Sequence, residues 1–247
     1  MQQKLFFLII ALIELSFVST ADKAVTIFIV GDSTAANKDT SNGKLERGWG
    51  QMFQNNFNKN FVVVNNQALN GRSSKSFIDE GKWANVKKLI KKGDYVLIQF
   101  GHNDAKTDTA RHTIPGSTFD QYLKQYASET LKLGGIPVLM SPCARRKWKN
   151  GVLVDSHGDY RLRAKVVAKS LNVHYIDANA ITEKLENQLG EEGSKKLHLI
   201  YAAGEKASYP NGVEDNTHYN VNGATNVAKL FADALVKEFP ALSKYKK

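Results

Sequence analysis

Hydrophobic positions along this chain fall into short, nearly unbroken runs separated by stretches with helical spacing. The runs are VTIFIV at Val25, FVVV at Phe61, YVLIQF at Tyr95, IPVLM at Ile136 and VHYI at Val173. Each is rich in β-branched or aromatic residues, as in strands that bury both faces in a parallel sheet. Between the runs, apolar residues recur three and four positions apart. Trp83, Val86, Leu89 and Ile90 form one stripe, stopped by Gly93. Phe119, Tyr122, Leu123, Tyr126 and Ala127 form a second, stopped by Gly134 and Gly135. Ala224, Val227, Ala228, Phe231 and Leu235 form a third, which ends before Pro240. Strand and helix alternate, which predicts an α/β fold with a parallel sheet covered by helices on both faces. No repeat, low-complexity tract or linker-like shift interrupts the pattern, so one domain is expected.

Open parallel sheets bind ligands beyond the carboxyl ends of their strands. The residues that follow each run therefore carry the chemistry to be weighed. Gly31-Asp32-Ser33-Thr34 follows the first run, NNQALNGRSS with Gly71 the second, and Gly101-His102-Asn103-Asp104 the third. A serine in such a turn is commonly a helix cap. It becomes a nucleophile if a base can take its proton and an acid can orient that base. VEDNTHYN, near the end of the chain, offers Asp215 and His218 three residues apart. On a turn or a first helical turn that spacing puts both side chains on one side. The competing reading has Asp215 or Asn216 merely capping the last helix. Attack on a carbonyl also requires donors for the oxyanion. The N–H groups of Ser33 and Gly71 and the side-chain amide of Asn103 can supply them.

GDST, Gly71 within ALNGRSS, GHND and DNTH together resemble, in order, the four blocks of the SGNH or GDSL hydrolases. QFGHNDAK, VLMSPCARRKW, DSHGDY and YPNGVEDNTHYN are similar to the rhamnogalacturonan acetylesterase branch of that family. The resemblance spans nearly all of the chain beyond its first residues. It implies a flavodoxin-like three-layer α/β/α sandwich with a central parallel sheet of about five strands. It also implies Ser33 as nucleophile, Asp215 and His218 as the acid-base pair, and Ser33, Gly71 and Asn103 as the oxyanion hole. The absence of a G-x-S-x-G elbow agrees with it.

The loop SPCARRKWKNG adds Arg145, Arg146 and Trp148 as candidate substrate contacts. Indoles stack on sugar rings and guanidinium groups grip uronate carboxylates. Alternatively, Trp148 packs beneath the loop while the arginines cap helix ends or pair with Asp155 and Asp159. His102 reads as a supporting residue, with Asp104 anchoring its loop. His112, His157, His174 and His198 read as structural or exposed, Trp49 as packing at the first helix, and Cys143 as a small half-buried side chain.

The first 21 residues change the domain picture. Lys4, the apolar LFFLIIALI and a small-residue end at Ser19 and Ala21 have the layout of a secretory signal peptide, although Glu14 sits inside it. The apolar run is short for a membrane anchor, which needs roughly 20 residues. The expectation is a leader over residues 1–21 and one hydrolase domain over 22–247, secreted and with no membrane role after cleavage. Cys143 is the lone cysteine, so stability rests on the core. The net charge of +10 comes from scattered lysines, and reads as solubility more than as steering toward an anionic partner. No nucleic-acid partner, metal or cofactor is expected, and the chain is expected to act as a monomer.

The leading expectation is thus a secreted serine esterase that removes acetyl groups from acetylated plant cell-wall polysaccharide, rhamnogalacturonan or related pectin first. The same site could instead serve acetylxylan, or lipid or long-chain acyl esters. A carbohydrate-binding protein without catalysis is the reading from another class.

Overall fold

The computed structural model describes residues 24–247. The leader read over residues 1–21 lies outside the described residues. In chain order the elements are β1 (Val25–Gly31), β2 (Glu46–Arg47), α1 (Trp49–Phe53), β3 (Val62–Asn66), α2 (Ser74–Asp79) and α3 (Lys82–Lys87). Then come β4 (Tyr95–Gln99), α4 (Thr118–Lys132), β5 (Ile136–Met140), β6 (Trp148–Lys149), β7 (Val152–Leu153) and α5 (Tyr160–Leu171). The chain ends with β8 (His174–Ile176), α6 (Ala178–Ser194), β9 (His198–Tyr201), β10 (Val213–Asn220) and α7 (Val221–Glu238).

Five strands form the central sheet in the order β3-β1-β4-β5-β8, every pair parallel. Alternation along the strands divides the core between the two faces. Ile27, Ile29, Leu97, Val138 and Met140 pack with α1 and α7, around Trp49, Phe53, Val227 and Phe231. Phe28, Val30, Val96, Ile98 and Leu139 pack with α2 to α5, around Phe77, Trp83, Phe119 and Tyr126. That is a three-layer α/β/α sandwich, and it explains why the strands read as continuous apolar runs. Full burial of one such aromatic or aliphatic side chain stabilises the fold by about 1.5–3 kcal/mol.

The helical stripes at Phe119 and Ala224 match α4 and α7, with Tyr122 at the margin of its cluster. Two readings need correction. Leu89 leaves its stripe: α3 stops at Lys87, the Leu89 N–H closes a tighter turn on the Val86 carbonyl, and the side chain is 47% exposed. The run at Phe61 is an edge strand that leaves Val63 44% exposed.

The chain leaves β1 for β3 on one side and returns to β4 on the other. The direction of winding therefore reverses between β1 and β4, and a crevice opens beyond their carboxyl ends. Ser33 and Asn103 lie there, one after each strand. A second, antiparallel sheet, β2-β10-β9, carries Asp215 and His218. Among the described residues no helix is long and apolar enough to cross a membrane.

Candidate active site

Ser33 stands on a turn that only a glycine can deliver. Gly31 ends β1 so close to β4 that a Cβ on it would lie 2.7 Å from the Gln99 carbonyl oxygen. The next residue, Asp32, bends the chain. Its carbonyl accepts from the N–H of Ala35 and Ala36, and its Oδ1 accepts from the N–H and hydroxyl of Thr34. Ser33, at the crest, is left partly exposed.

His218 Nε2 lies 2.8 Å from Ser33 Oγ, and His218 Nδ1 lies 2.7 Å from Asp215 Oδ2. The local cause is an irregularity in β10. Its pairing with β9 shifts register between Asp215 and Tyr219, and the freed N–H groups of Thr217 and His218 turn onto Asp215 Oδ1. One carboxylate oxygen thus shapes the turn and the other holds the imidazole. Burial tends to raise the Asp215 pKa, but the His218 side chain and these N–H groups together hold it well below the usual carboxylate range. The pair therefore sits on a bulged strand and not at a helix start. The last helix is capped instead by Asn220, whose side chain accepts from the Gly223 N–H.

Asn103 Nδ2 donates one hydrogen to the Arg72 carbonyl at 3.0 Å, which fixes the amide orientation and leaves its second hydrogen for the cleft. Gly71, the residue before Arg72, has φ +73° and open space where a Cβ would stand. Among the described residues no backbone carbonyl takes up the N–H of Ser33 or of Gly71. Asp104 anchors this rim, accepting from the Gly101 and Ser74 N–H groups and from the Ser74 and Thr113 hydroxyls.

Ser33, Asn103, Arg145 and His218 line a cleft of about 410 Å³ together with His102, Lys106 and Thr217. Of the three substrate candidates, the cleft receives one. Arg145 reaches it while donating to the Ser156 and His102 carbonyls. Arg146 does not. It is buried and its guanidinium is spent on Asn216 Oδ1, Ser194 Oγ and the Glu191 carbonyl, so it ties the Asp215 turn to the end of α6. Trp148 also lies outside the cleft lining, because residues 148–153 fold into the β6-β7 ribbon, where it pairs with Leu153. Its indole nitrogen is buried there. Cys143 is fully buried beneath the site, where Gln99 donates to its Sγ at 2.9 Å and burial pushes the thiol up to about 12.

Sequence reasoning passed over Lys106 and Gln99. Lys106 follows Asn103 by three residues on the same loop, and that proximity was its only signal. Gln99 looks like one more strand residue. Fully buried, it accepts from Trp49 Nε1 and Thr34 Oγ1 and so joins the ends of three elements. Among the described residues no group of three or more His, Cys, Asp or Glu side chains could hold a metal ion.

Two buried imidazoles stand together at this point, His102 at the cleft wall and His157 outside its lining. Burial, reinforced by His102 and Arg145, pushes His157 down to about 2. An unfolded histidine titrates near 6.5. Between those values the unfolded chain binds a proton that the folded chain refuses. Stability therefore falls as pH drops below about 6.5, by at most about 1.4 kcal/mol per pH unit from this group. The calorimetric unfolding midpoint is expected to decline from pH 6.5 to 4, and less steeply in His157→Phe. An unchanged slope in the variant would assign the acid sensitivity to other groups.

Comparison with known proteins places this chain in a family. The model of the GDSL-like lipase/acylhydrolase family matches residues 29–225. A Bacillus subtilis protein named rhamnogalacturonan acetylesterase RhgT is 39% identical over 86% of this chain and 90% of its own. A second B. subtilis protein, named probable rhamnogalacturonan acetylesterase YesY, is 35% identical over 85% of this chain and 91% of its own. The crystal structure of the B. subtilis protein YxiM is similar with a TM-score of 0.74 and 25% identity. That match covers 89% of this chain and 58% of the YxiM chain. The chain belongs to the GDSL-like lipase/acylhydrolase family and is a carboxylic ester hydrolase.

Proposed function

We propose that this protein is a secreted acetylesterase that releases acetate from plant cell-wall polysaccharide, rhamnogalacturonan first, through an acyl-enzyme on Ser33. The observation that carries the reading is the unbroken line from Asp215 through His218 to Ser33, with contacts of 2.7 and 2.8 Å. His218 Nε2 takes the proton of Ser33 Oγ as that oxygen attacks the acetyl carbonyl. The oxyanion falls to the N–H groups of Ser33 and Gly71 and to the free hydrogen of Asn103 Nδ2. On collapse the bond to the sugar oxygen breaks, and His218 returns its proton to that oxygen. Water, deprotonated by His218 in turn, then cleaves the acetyl-serine ester and acetate leaves.

The named activities of the two relatives support the polymer, and the leader-like first 21 residues support secretion. Arg145 and Lys106 on the cleft wall suit a backbone that carries uronate carboxylates. A lipid would favour a wall of large apolar side chains, whereas Ala105 is the one apolar residue in this lining.

The test is acetate release from acetylated rhamnogalacturonan and acetylated xylan side by side. Faster release from rhamnogalacturonan is expected. Faster release from xylan would move the substrate, and release from neither would remove the acetylesterase reading. Arg145→Gln should raise KM for the uronate-bearing polymer more than for xylan.

A further inference from the structure

Two buried residues that the mechanism above leaves unused stand directly beside its two anchor points. Asp32 precedes Ser33 in the chain, and His102 precedes Asn103. Across the crevice, His102 Nδ1 lies 3.2 Å from Asp32 Oδ2, and both side chains are almost wholly buried. The carboxylate's other oxygen is committed to Thr34. Burial tends to raise the Asp32 pKa, yet the nearby His102 and the Thr34 donors bring it down to about 2, so it stays ionised. Burial also holds the His102 imidazole below its ordinary value in spite of Asp32. A buried carboxylate thus faces the imidazole directly. Among the described residues, neither ring nitrogen nor Asp32 Oδ2 has a partner in hydrogen-bond geometry, so the 3.2 Å approach of Nδ1 to Oδ2 is the one polar contact each side of the pair makes through these atoms.

Two further elements hold the ring and its backbone. The His157 ring, from the loop before α5, meets it edge to face with centroids 4.6 Å apart at 80°. Arg145, from the loop after β5, donates to the His102 carbonyl at 3.2 Å. His102 therefore joins the ends of β1 and β4 to the loops after β5 and before α5. A buried charge without a well-directed donor is costly, and packed sequence can fill such a site with apolar groups instead. The arrangement makes sense if it sets a distance. The distance at stake is between Oγ of Ser33 and the amide of Asn103, each one residue from a member of the pair.

We propose that His102 is a positioning residue: held between Asp32, His157 and Arg145, it fixes the spacing of nucleophile and oxyanion donor through its Asp32-facing nitrogen. The inference rests on the serine-esterase reading of the site. Misplacing reacting groups by about 1 Å can cost on the order of 10²-fold in rate. The loss should fall on kcat, because the His102 side chain, although it borders the cleft, is almost wholly buried, and Arg145 and Lys106 on the cleft wall keep their side chains.

The test uses three variants of the full chain on a soluble acetyl ester, with thermal unfolding as the fold control. His102→Leu, which keeps bulk and loses both nitrogens, should lower kcat by about 10- to 100-fold with KM within about twofold. His102→Asn, whose amide can stand where Nδ1 stands, should recover most of that loss. Asp32→Asn should lower kcat on its own, and with His102→Leu the two losses should fail to multiply. Should His102→Leu not fold, the comparison of Asp32→Asn with the Asp32→Asn/His102→Asn double variant decides the same point. Wild-type kcat in the folded single variants, equal losses in Leu and Asn, multiplying losses, or a change confined to KM would each overturn the proposal. Ser33→Ala run in parallel separates this from failure of the underlying reading. A fully active Ser33→Ala would sink that reading, whereas an inactive Ser33→Ala beside a normal His102→Leu would sink this inference alone.

Discussion

Ser33→Ala is expected to lower kcat for acetate release by about 10⁵–10⁶-fold, and His218→Ala by a similar factor. The two side chains share a single proton along the 2.8 Å contact between Nε2 and Oγ, so neither works without the other. For the same reason the double variant should be little worse than either single one. A residual rate above that of water is expected in all three, since the oxyanion donors remain. Both side chains lie at the cleft surface, so thermal unfolding midpoints should stay near wild type. Additive losses in the double variant would mean that Ser33 and His218 act separately.

The second large effect is expected from Asp215→Asn, a change of one atom that should cost about 10⁴-fold in kcat. The amide can keep its oxygen on the N–H groups of Thr217 and His218, so the turn survives. Its nitrogen, however, then faces His218 Nδ1 as a donor. The imidazole must answer by placing its own hydrogen on Nε2, toward Ser33, where a lone pair is needed. The loss should therefore appear in kcat with KM nearly unchanged, and the melting temperature should move little. Retention of more than about a tenth of the activity would deny Asp215 its orienting role.

How much of this was legible in the residues differs from element to element. The five parallel strands were readable because both faces are covered, and alternation vanishes when two cores share a strand. The stripe of α7 was readable because large apolar residues contrast with lysines and asparagines. In α5 the stripe rests partly on alanines, and in α6 the buried face mixes Asn179, Thr182 and Glu186 with Ala178, while Ile181 and Leu185 are only partly buried, so hydrophobicity marks it weakly. The residues brought together at Ser33 announced themselves by small and polar types at strand ends. The fate of the arginine loop did not. Arg145 and Arg146 are neighbours of one type, and their division between cleft and core depends on distant acceptors: the His102 and Ser156 carbonyls for Arg145, the Asn216 side chain on β10 and the Glu191 carbonyl on α6 for Arg146. No local pattern records that.

Ser33 and His218 are 185 residues apart, the first following β1 and the second held on the strand that precedes α7. During synthesis the proposed nucleophile is therefore among the earliest parts of the domain to emerge, and the proposed base among the last. Until β10 has paired with β9 and α7 has closed over the sheet, the chain holds a serine of ordinary reactivity. On the proposed mechanism, ester hydrolysis thus reports completion of the whole domain.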